Sequence, residues 1–214
     1  MTTVITIDGP SGSGKGTISK LLAARLNYSY LDTGALYRAV AWKVREEAIA
    51  MDNEQALKTL LDTINIEFRN EQIFVDGIEI STAIRTAEIG QLSSQISAVQ
   101  LVRDGLFALQ RNICMKGNVV IEGRDTGSTI FPEAVNKFYL DASLNERARR
   151  RYQELKVKDP AVTMEDTIAS IRERDERDST RASSPLTRTD DMIHIDSSDL
   201  NIEEVVEKII SRLK

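Results

Sequence analysis

The first seventeen residues constrain this chain more than any other stretch. Val4–Asp8 reads Val-Ile-Thr-Ile-Asp, a short apolar strand, and Gly9-Pro10-Ser11-Gly12-Ser13-Gly14-Lys15-Gly16-Thr17 follows without a break. Ile18, Leu21, Leu22 and Leu26 then share one helical face. Strand, glycine-rich turn, lysine, hydroxyl and helix, in that order, make a phosphate-binding loop.

The chemistry accounts for the spacing. Glycines let the backbone curl and approach a ligand with no Cβ in the way. The curled amides and the helix N-terminus aim N–H groups at an anion. Lys15 adds a flexible point charge for phosphate oxygens. Thr17 offers its hydroxyl to a Mg²⁺ held by the same phosphates, one place later than the general motif has it, because Gly16 follows the lysine. A dinucleotide-binding turn would have no use for Lys15.

Downstream, residues 28–31 read as a second strand, leading to Asp32-Thr33-Gly34 and a helix over 35–50 with Leu36, Val40 and Val44 in register. Residues 53–61 form another short helix. The texture then changes. Residues 64–68 alternate with period two, and 72–75 and 78–80 flank Asp76-Gly77, a two-residue hairpin signal. This antiparallel patch, residues 64–97, is expected as an insertion in a core of 1–63 and 98–214. Ser81 or Thr82 can cap the helix that carries Ile89, Leu92 and Ile96, and 101–115 forms a longer one.

Residues 119–122 give a third core strand, ending in Gly123-Arg124-Asp125-Thr126-Gly127, and 137–140 a fourth, ending in Asp141. A helix over 146–155 carries Arg147, Arg149, Arg150 and Arg151; Thr163 with Asp166 opens another. Residues 192–195 are a fifth strand, and an amphipathic helix over 202–213 closes the chain behind Asp199 or Asn201. Short apolar strands joined by helices predict an α/β fold, a parallel five-stranded sheet flanked by helices. Ligands in such sheets sit beyond the strands' carboxyl ends, where Asp8, Asp32, Gly123, Asp125 and Asp141 fall.

At 214 residues the chain suits one domain with insertions, or one and a small satellite. A net charge of -5 argues against a general nucleic-acid binder, which carries a positive excess. The single cysteine, Cys114, lies in an apolar-periodic stretch and has no partner for a disulfide or a metal site, which suits the reducing cytoplasm. No leader pattern opens the chain, and no apolar run approaches a membrane span. His194, within Met192-Ile193-His194-Ile195, reads as structural.

Arg174, Asp178 and Arg181 are spaced i, i+4, i+7, one helical face on which two guanidiniums flank a carboxylate. Such a face clamps phosphates and orients a ribose hydroxyl; a solvated helix with internal ion pairs is the plainer alternative. Arg147 and Arg151 are also four apart, a stripe that suits a mobile cover over a polyanion, with an RNA patch as the rival. A phosphoryl transferase needs cations for the acceptor's phosphate as well as the donor's, and Arg38, Arg103, Arg124, Arg174 and Arg181 are candidates. The chain has no Asn-Lys-x-Asp stretch to specify guanine, and Glu122 ends its strand without an acidic neighbour.

These stretches together resemble the bacterial cytidylate kinases along essentially the whole chain. The matching motifs are residues 7–17, Leu31-Asp32-Thr33-Gly34-Ala35-Leu36-Tyr37-Arg38, residues 84–88, Ser94-Gln95 with Val102-Arg103, Gly123-Arg124-Asp125-Thr126-Gly127, residues 138–142, and 174–178 with Arg181. Two positions depart from the family's usual pattern: Glu122 where Asp is common before Gly-Arg-Asp, and Thr33 where Ser is common.

The resemblance implies transfer of the γ-phosphoryl group of ATP to CMP or dCMP, by a cytoplasmic monomer with no nucleic-acid or membrane partner. It implies that Gly9, Pro10, Ser11, Gly12, Ser13, Gly14, Lys15, Gly16 and Thr17 hold the phosphates of ATP, with Mg²⁺ at Thr17. Arg147 and Arg151 would belong to a lid near 144–160 that closes over ATP. Thr33, Tyr37 and Arg38 would line the acceptor pocket; Ser94, Arg103 and Asp125 would read cytosine; Asp178 would take the ribose hydroxyls. Arg124, Arg174 and Arg181 would bind phosphate, and Lys15, Arg124 and Arg174 would carry the catalysis. Residues 64–97 would be the family's enlarged monophosphate-binding subdomain, and Asp32 is a further candidate to orient Mg²⁺-bound water. Rival acceptors are UMP, AMP and shikimate; the rival from another class is a nucleotide-dependent nucleic-acid-binding module.

Overall fold

The apolar stretches fold as strands and the amphipathic ones as helices, in an α/β order. A computed structural model describes residues 2–69, 72–157 and 159–214. Asn70 and Glu71, within the expected insertion, and Lys158, within the expected lid, lie outside the described residues. The chain begins β1 (Val4–Asp8), α1 (Lys15–Leu26), β2 (Ser29–Asp32), α2 (Thr33–Glu46) and α3 (Glu54–Thr63). It continues through β3 (Ile66–Arg69), β4 (Gln72–Val75), β5 (Ile78–Glu79), α4 (Ala87–Ile96) and α5 (Gln100–Cys114). It closes with β6 (Val119–Gly123), β7 (Asn136–Asp141), α6 (Leu144–Lys156), α7 (Met164–Thr180), β8 (Ile193–Asp196) and α8 (Ile202–Ile210).

The chain divides into two compact units. The first holds the residues through Leu31 together with Cys114–Lys214; the second is Asp32–Ile113. The first unit is built on the five-stranded parallel sheet, in the order β2-β6-β1-β7-β8. β1 lies at its centre, with Val4 opposite Val119, Asp8 opposite Gly123 on one side and Asp8 opposite Tyr139 on the other. The register therefore brings the ends of β1, β6 and β7 to one edge, the carboxyl edge.

Burial on both faces explains why the central strands β1 and β6 are largely apolar. Ile5, Ile7, Val120, Phe138, Leu140 and Ile195 meet Ile18 and Leu22 of α1 and Val205, Val206 and Ile209 of α8 in one core. Each such side chain contributes about 1.5–3 kcal/mol by leaving water. α6, α7 and α8 start at side chains that satisfy their open amides. Ser143 caps α6, Thr163 caps α7, and Asn201 forms a reciprocal capping box with Glu204 on α8.

The second unit holds a three-stranded antiparallel sheet, β3-β4-β5, beside helices. Asp76 and Gly77 take φ of 50° and 82°, the two left-handed positions of the expected hairpin turn. Ile73 and Val75 are buried, as are Leu57 and Leu60 of α3 and Ile89 and Ile96 of α4. Thr86, not Ser81 or Thr82, caps α4, because a 3₁₀ turn over Ala83–Arg85 intervenes. The helix expected over 35–50 stops at Glu46. Ala48 turns left-handed at φ 50°, and the Ile49 amide closes the end on the Val44 carbonyl. Among the described residues no helix is long and apolar enough to cross a membrane.

Candidate functional site

The expected site residues divide between the two units, and the phosphate loop belongs to the first. Gly9 leaves β1 at φ 155°, and a Cβ there would lie 1.9 Å from the Leu140 carbonyl oxygen of β7. Only glycine lets the chain turn out of the sheet so close to a neighbouring strand. α1 begins at Lys15, so its open amides face the loop. Thr17 is exposed on the first turn.

Lys15 is buried, and its Nζ donates to the Pro10 carbonyl at 2.7 Å and to Ser13 Oγ at 3.4 Å. Its ammonium is pushed down to about 7, by burial first and then by Arg124 and Arg174, with Glu122 and Asp8 acting the other way. Glu122, at the end of β6, accepts from the Tyr30 hydroxyl at 2.8 Å. Its Oε1 would lie only 3.1 Å from a Cβ on Gly16, so this carboxylate sits hard against the start of α1.

The loop after β6 meets α7. Arg124 Nε donates to Asp178 Oδ2 at 2.8 Å, and Arg174 Nε lies 3.9 Å from the same oxygen. Arg181 donates to Asp125 Oδ1 at 3.4 Å and to the Ser184 carbonyl at 2.6 Å. Asp178 is 3% exposed. Burial opposes its charge, yet Arg124, Arg174 and Arg181 together hold it below the ordinary carboxylate range. Arg174 and Asp178 of α7, with Arg181 just past its end, thus converge with Arg124 and Asp125, giving alternating cations and carboxylates around the buried Asp178.

Asp8 completes the carboxyl edge. Fully buried, it accepts from the Thr126 amide and hydroxyl, both at 2.9 Å, and from the Gly127 amide at 2.8 Å. Burial raises its carboxyl to about 6, against the pull of the amide hydrogen bonds.

α6 shows which of its arginines reach the phosphate loop. Arg147 is buried; it donates to the Ala142 carbonyl at 3.0 Å and the Ser11 carbonyl at 2.9 Å, and pairs with Asp175. Asp175 in turn accepts from the Ser11 amide at 2.9 Å. Arg150 reaches the Ser197 carbonyl at 2.6 Å and the Ser13 carbonyl at 3.4 Å. Arg151 is exposed and pairs with Glu154 at 2.9 Å. Arg147 and Arg150 thus hydrogen-bond to the loop itself, while Arg151 lines the cleft beside it. A cleft of about 790 Å³ opens beside the loop, lined by Ser13, Gly14, Ile18, Arg150, Leu200 and Ile202 among others. Its apolar side chains and adjacent loop amides suit a flat base attached to phosphates.

In the second unit, Thr33 and Tyr37 are buried at the start of α2. Asp32 caps that helix through the Ala35 amide at 3.0 Å, and its other oxygen pairs with Arg38 at 2.6 Å. Both oxygens of Asp32 are thus engaged within the unit. Arg38 Nε is buried with no hydrogen-bond partner among the described residues. Arg103 is 5% exposed, donates to the Ser97 carbonyl at 3.0 Å, and stands over the Tyr37 ring at 5.6 Å. Ser94 is buried as well.

Sequence reasoning gave no site role to four residues that the structure places at the loop, Asp8, Glu122, Arg150 and Asp175, the last of which it read as structural. Arg150 had a signal, being three residues from Arg147 and so on the same helical side. Asp8 had none beyond its place at a strand's end, since its partners are mainly backbone amides.

A model of the cytidylate kinase family matches residues 5–214. A cytidylate kinase of Geobacter sulfurreducens is 48% identical over 212 residues, covering 97% of this chain and 91% of that protein. One of Fusobacterium nucleatum is 39% identical over 211 residues, covering 99% of this chain and 97% of that protein. Among solved structures, an uncharacterized protein from Eubacterium ventriosum shares the fold at a TM-score of 0.54 and 14% identity, over 98% of this chain and 96% of that one.

Proposed function

We propose a reaction on the premise that this chain belongs to the cytidylate kinase family. The protein transfers the γ-phosphoryl group of ATP to CMP or dCMP, giving ADP and CDP or dCDP. The observation that carries the reading within the structure is the crowding of three cations: Lys15 is held down to about 7 by burial, then by Arg124 and Arg174. Like charges gather at such cost where a polyanion is due to bind.

The residues fit a nucleoside triphosphate. The loop offers amides, the buried Lys15 donates to loop oxygens, and the adjoining cleft takes a base. Among the described residues no three acidic, His or Cys side chains gather to hold a metal. Thr17 would hold a Mg²⁺ with the phosphates, as that ion usually takes one or two protein ligands. Bound there, Mg²⁺ would neutralise the charge of the β- and γ-phosphates.

An acceptor phosphate oxygen is already a nucleophile, so no side-chain base is required. The chain's own work is positioning and charge stabilisation. Lys15, Arg124 and Arg174 stabilise the charge in transit, and Arg181 and Arg38 bind acceptor phosphate. Arg147 braces the loop that holds the donor, and Arg151 extends the cover over it. Thr33 and Tyr37 line the acceptor site, and Asp178 takes the ribose. Asp125 and Ser94 accept from the exocyclic amine of cytosine, while Arg103 donates to the opposite edge. Uracil reverses the pattern at its 4-position, and an unpaired buried polar group costs about 1–3 kcal/mol. In this reading residues 64–97 form the acceptor-binding insertion and 144–160 the lid, and the protein works as a cytoplasmic monomer on small nucleotides.

The test is ADP release with Mg²⁺-ATP and each of CMP, dCMP, UMP, AMP and shikimate. Turnover is expected with CMP and dCMP, lost in Lys15→Ala, with preference over UMP reduced in Asp125→Ala. Fast turnover with another acceptor alone would overturn the substrate assignment. A salt-sensitive RNA affinity without turnover would overturn the reaction.

A further inference from the structure

Asp8 is the last residue of β1, next to Gly9, and is 0% exposed. A buried carboxylate is costly unless its oxygens are satisfied. An apolar side chain would end the same strand without that cost. The three hydrogen bonds that satisfy it come from Thr126 and Gly127, 118 and 119 residues along the chain. These two residues open a single π-helical turn, Thr126–Ile130. The first amides of a helical turn have no carbonyl within the turn to bind. Asp8 supplies that acceptor from another strand. Inside the turn, the Thr129 and Ile130 amides close back on the Asp125 carbonyl, at 2.9 Å and 3.1 Å. Fixing Thr126 and Gly127 therefore fixes Asp125, and Arg124 before it.

We propose that Asp8 is a positioning residue for acceptor recognition: its carboxylate locks the Gly123–Gly127 loop to the base of the phosphate loop, so that Arg124 and Asp125 meet the acceptor nucleotide. The idea rests on the acceptor roles given above to Arg124 and Asp125. It adds that acceptor recognition is built from the last residue of the donor strand. A purely structural role would weaken folding and both substrates alike. A positioning role weakens the acceptor selectively.

Asp8→Asn keeps the volume and one acceptor but sets an amide NH₂ against an N–H donor. Steady-state kinetics with Mg²⁺-ATP and CMP are expected to show the KM for CMP raised tenfold or more and the preference over UMP reduced, with the KM for ATP within twofold of wild type. Amide exchange at Thr126 and Gly127 is expected to quicken at least tenfold. Thr126→Val removes one bond and leaves Asp8 in place, with a smaller shift in the same direction; Thr126→Ser, which keeps the hydroxyl, is expected to match wild type. This pair decides the matter if Asp8→Asn does not fold. Unchanged exchange, an unchanged KM for CMP, or an equal rise in both KM values would overturn the proposal. Arg124→Ala and Asp125→Ala separate the two levels. If they raise the KM for CMP and Asp8→Asn does not, the positioning role falls alone; if they leave it unchanged, the acceptor reading falls with it.

Discussion

Binding of the donor nucleotide should draw a proton from solution, through Lys15. In the free protein its ammonium is pushed down to about 7. At pH 8 only about a tenth of the molecules then carry the charge. Polyphosphate oxygens arriving at the loop favour the charged form and lift the value again. Uptake per nucleotide bound should be about 0.9 proton at pH 8, about 0.5 at pH 7 and about 0.1 at pH 6. Affinity should fall with rising pH above 7, by up to about tenfold per unit. Titration calorimetry with the Mg²⁺ complex, in two buffers of different ionisation enthalpy, reads the proton count directly. Lys15→Arg, which cannot lose its charge, is the control and should take up none. An uptake below about 0.2 proton at pH 8, or the same uptake in Lys15→Arg, would refute the reasoning from burial and Arg124.

Other outcomes follow from the same carboxyl edge. The Asp8 carboxyl is raised in the folded state from 3.8 to about 6, so its contribution is full below 3.8 and is lost as pH rises through 6. That loss is about 3 kcal/mol, and urea unfolding of wild type against Asp8→Asn between pH 4 and 7.5 should show it. Glu146 has the opposite sign: Arg149 holds its carboxyl down at about 2, so its contribution is present above 4.5 and fades as pH falls toward 2. Unfolding of Glu146→Gln in acid should lack that decline. Gly9→Ala should fail to fold or lose on the order of 3 kcal/mol or more, because the Leu140 carbonyl cannot withdraw without breaking the sheet; thermal melts would show this. Tyr30→Phe removes the hydroxyl that donates to Glu122 and should cost about 1 kcal/mol in urea unfolding.

Much of this arrangement could be read from the chain because local spacing carries it. The strand, turn and helix of the phosphate loop are contiguous, and the Arg174, Asp178, Arg181 face follows from helical periodicity alone. The hairpin at Asp76-Gly77 is likewise local. The strand order is not, since β1 takes both of its neighbours from beyond residue 118. Spacing also fails to say which arginines of α6 turn inward: both i+3 and i+4 neighbours lie on one side, and packing selects Arg150 over Arg151. The early end of α2 depends on Ala48 in a left-handed conformation, which a sequence does not announce without glycine or asparagine. Asp8 is hidden for a deeper reason. Two of its three donors are backbone amides, and every residue but proline has one.

The central place of β1 also governs the order in which the protein can be assembled during synthesis. Val4 pairs with Val119 and Ile5 with Asn136, so the earliest strand has its partners among much later ones. At typical rates of translation, roughly 5–20 residues per second, β1 leaves the ribosome about 6–23 s before β6. Asp32–Ile113, a compact unit of contiguous chain, emerges within that interval. A nascent chain therefore holds a glycine-rich segment with no sheet beneath it until β6 and β7 arrive on either side. Nucleotide, which needs that loop in shape, can favour folding only after β7 has emerged at Asp141 of 214 residues.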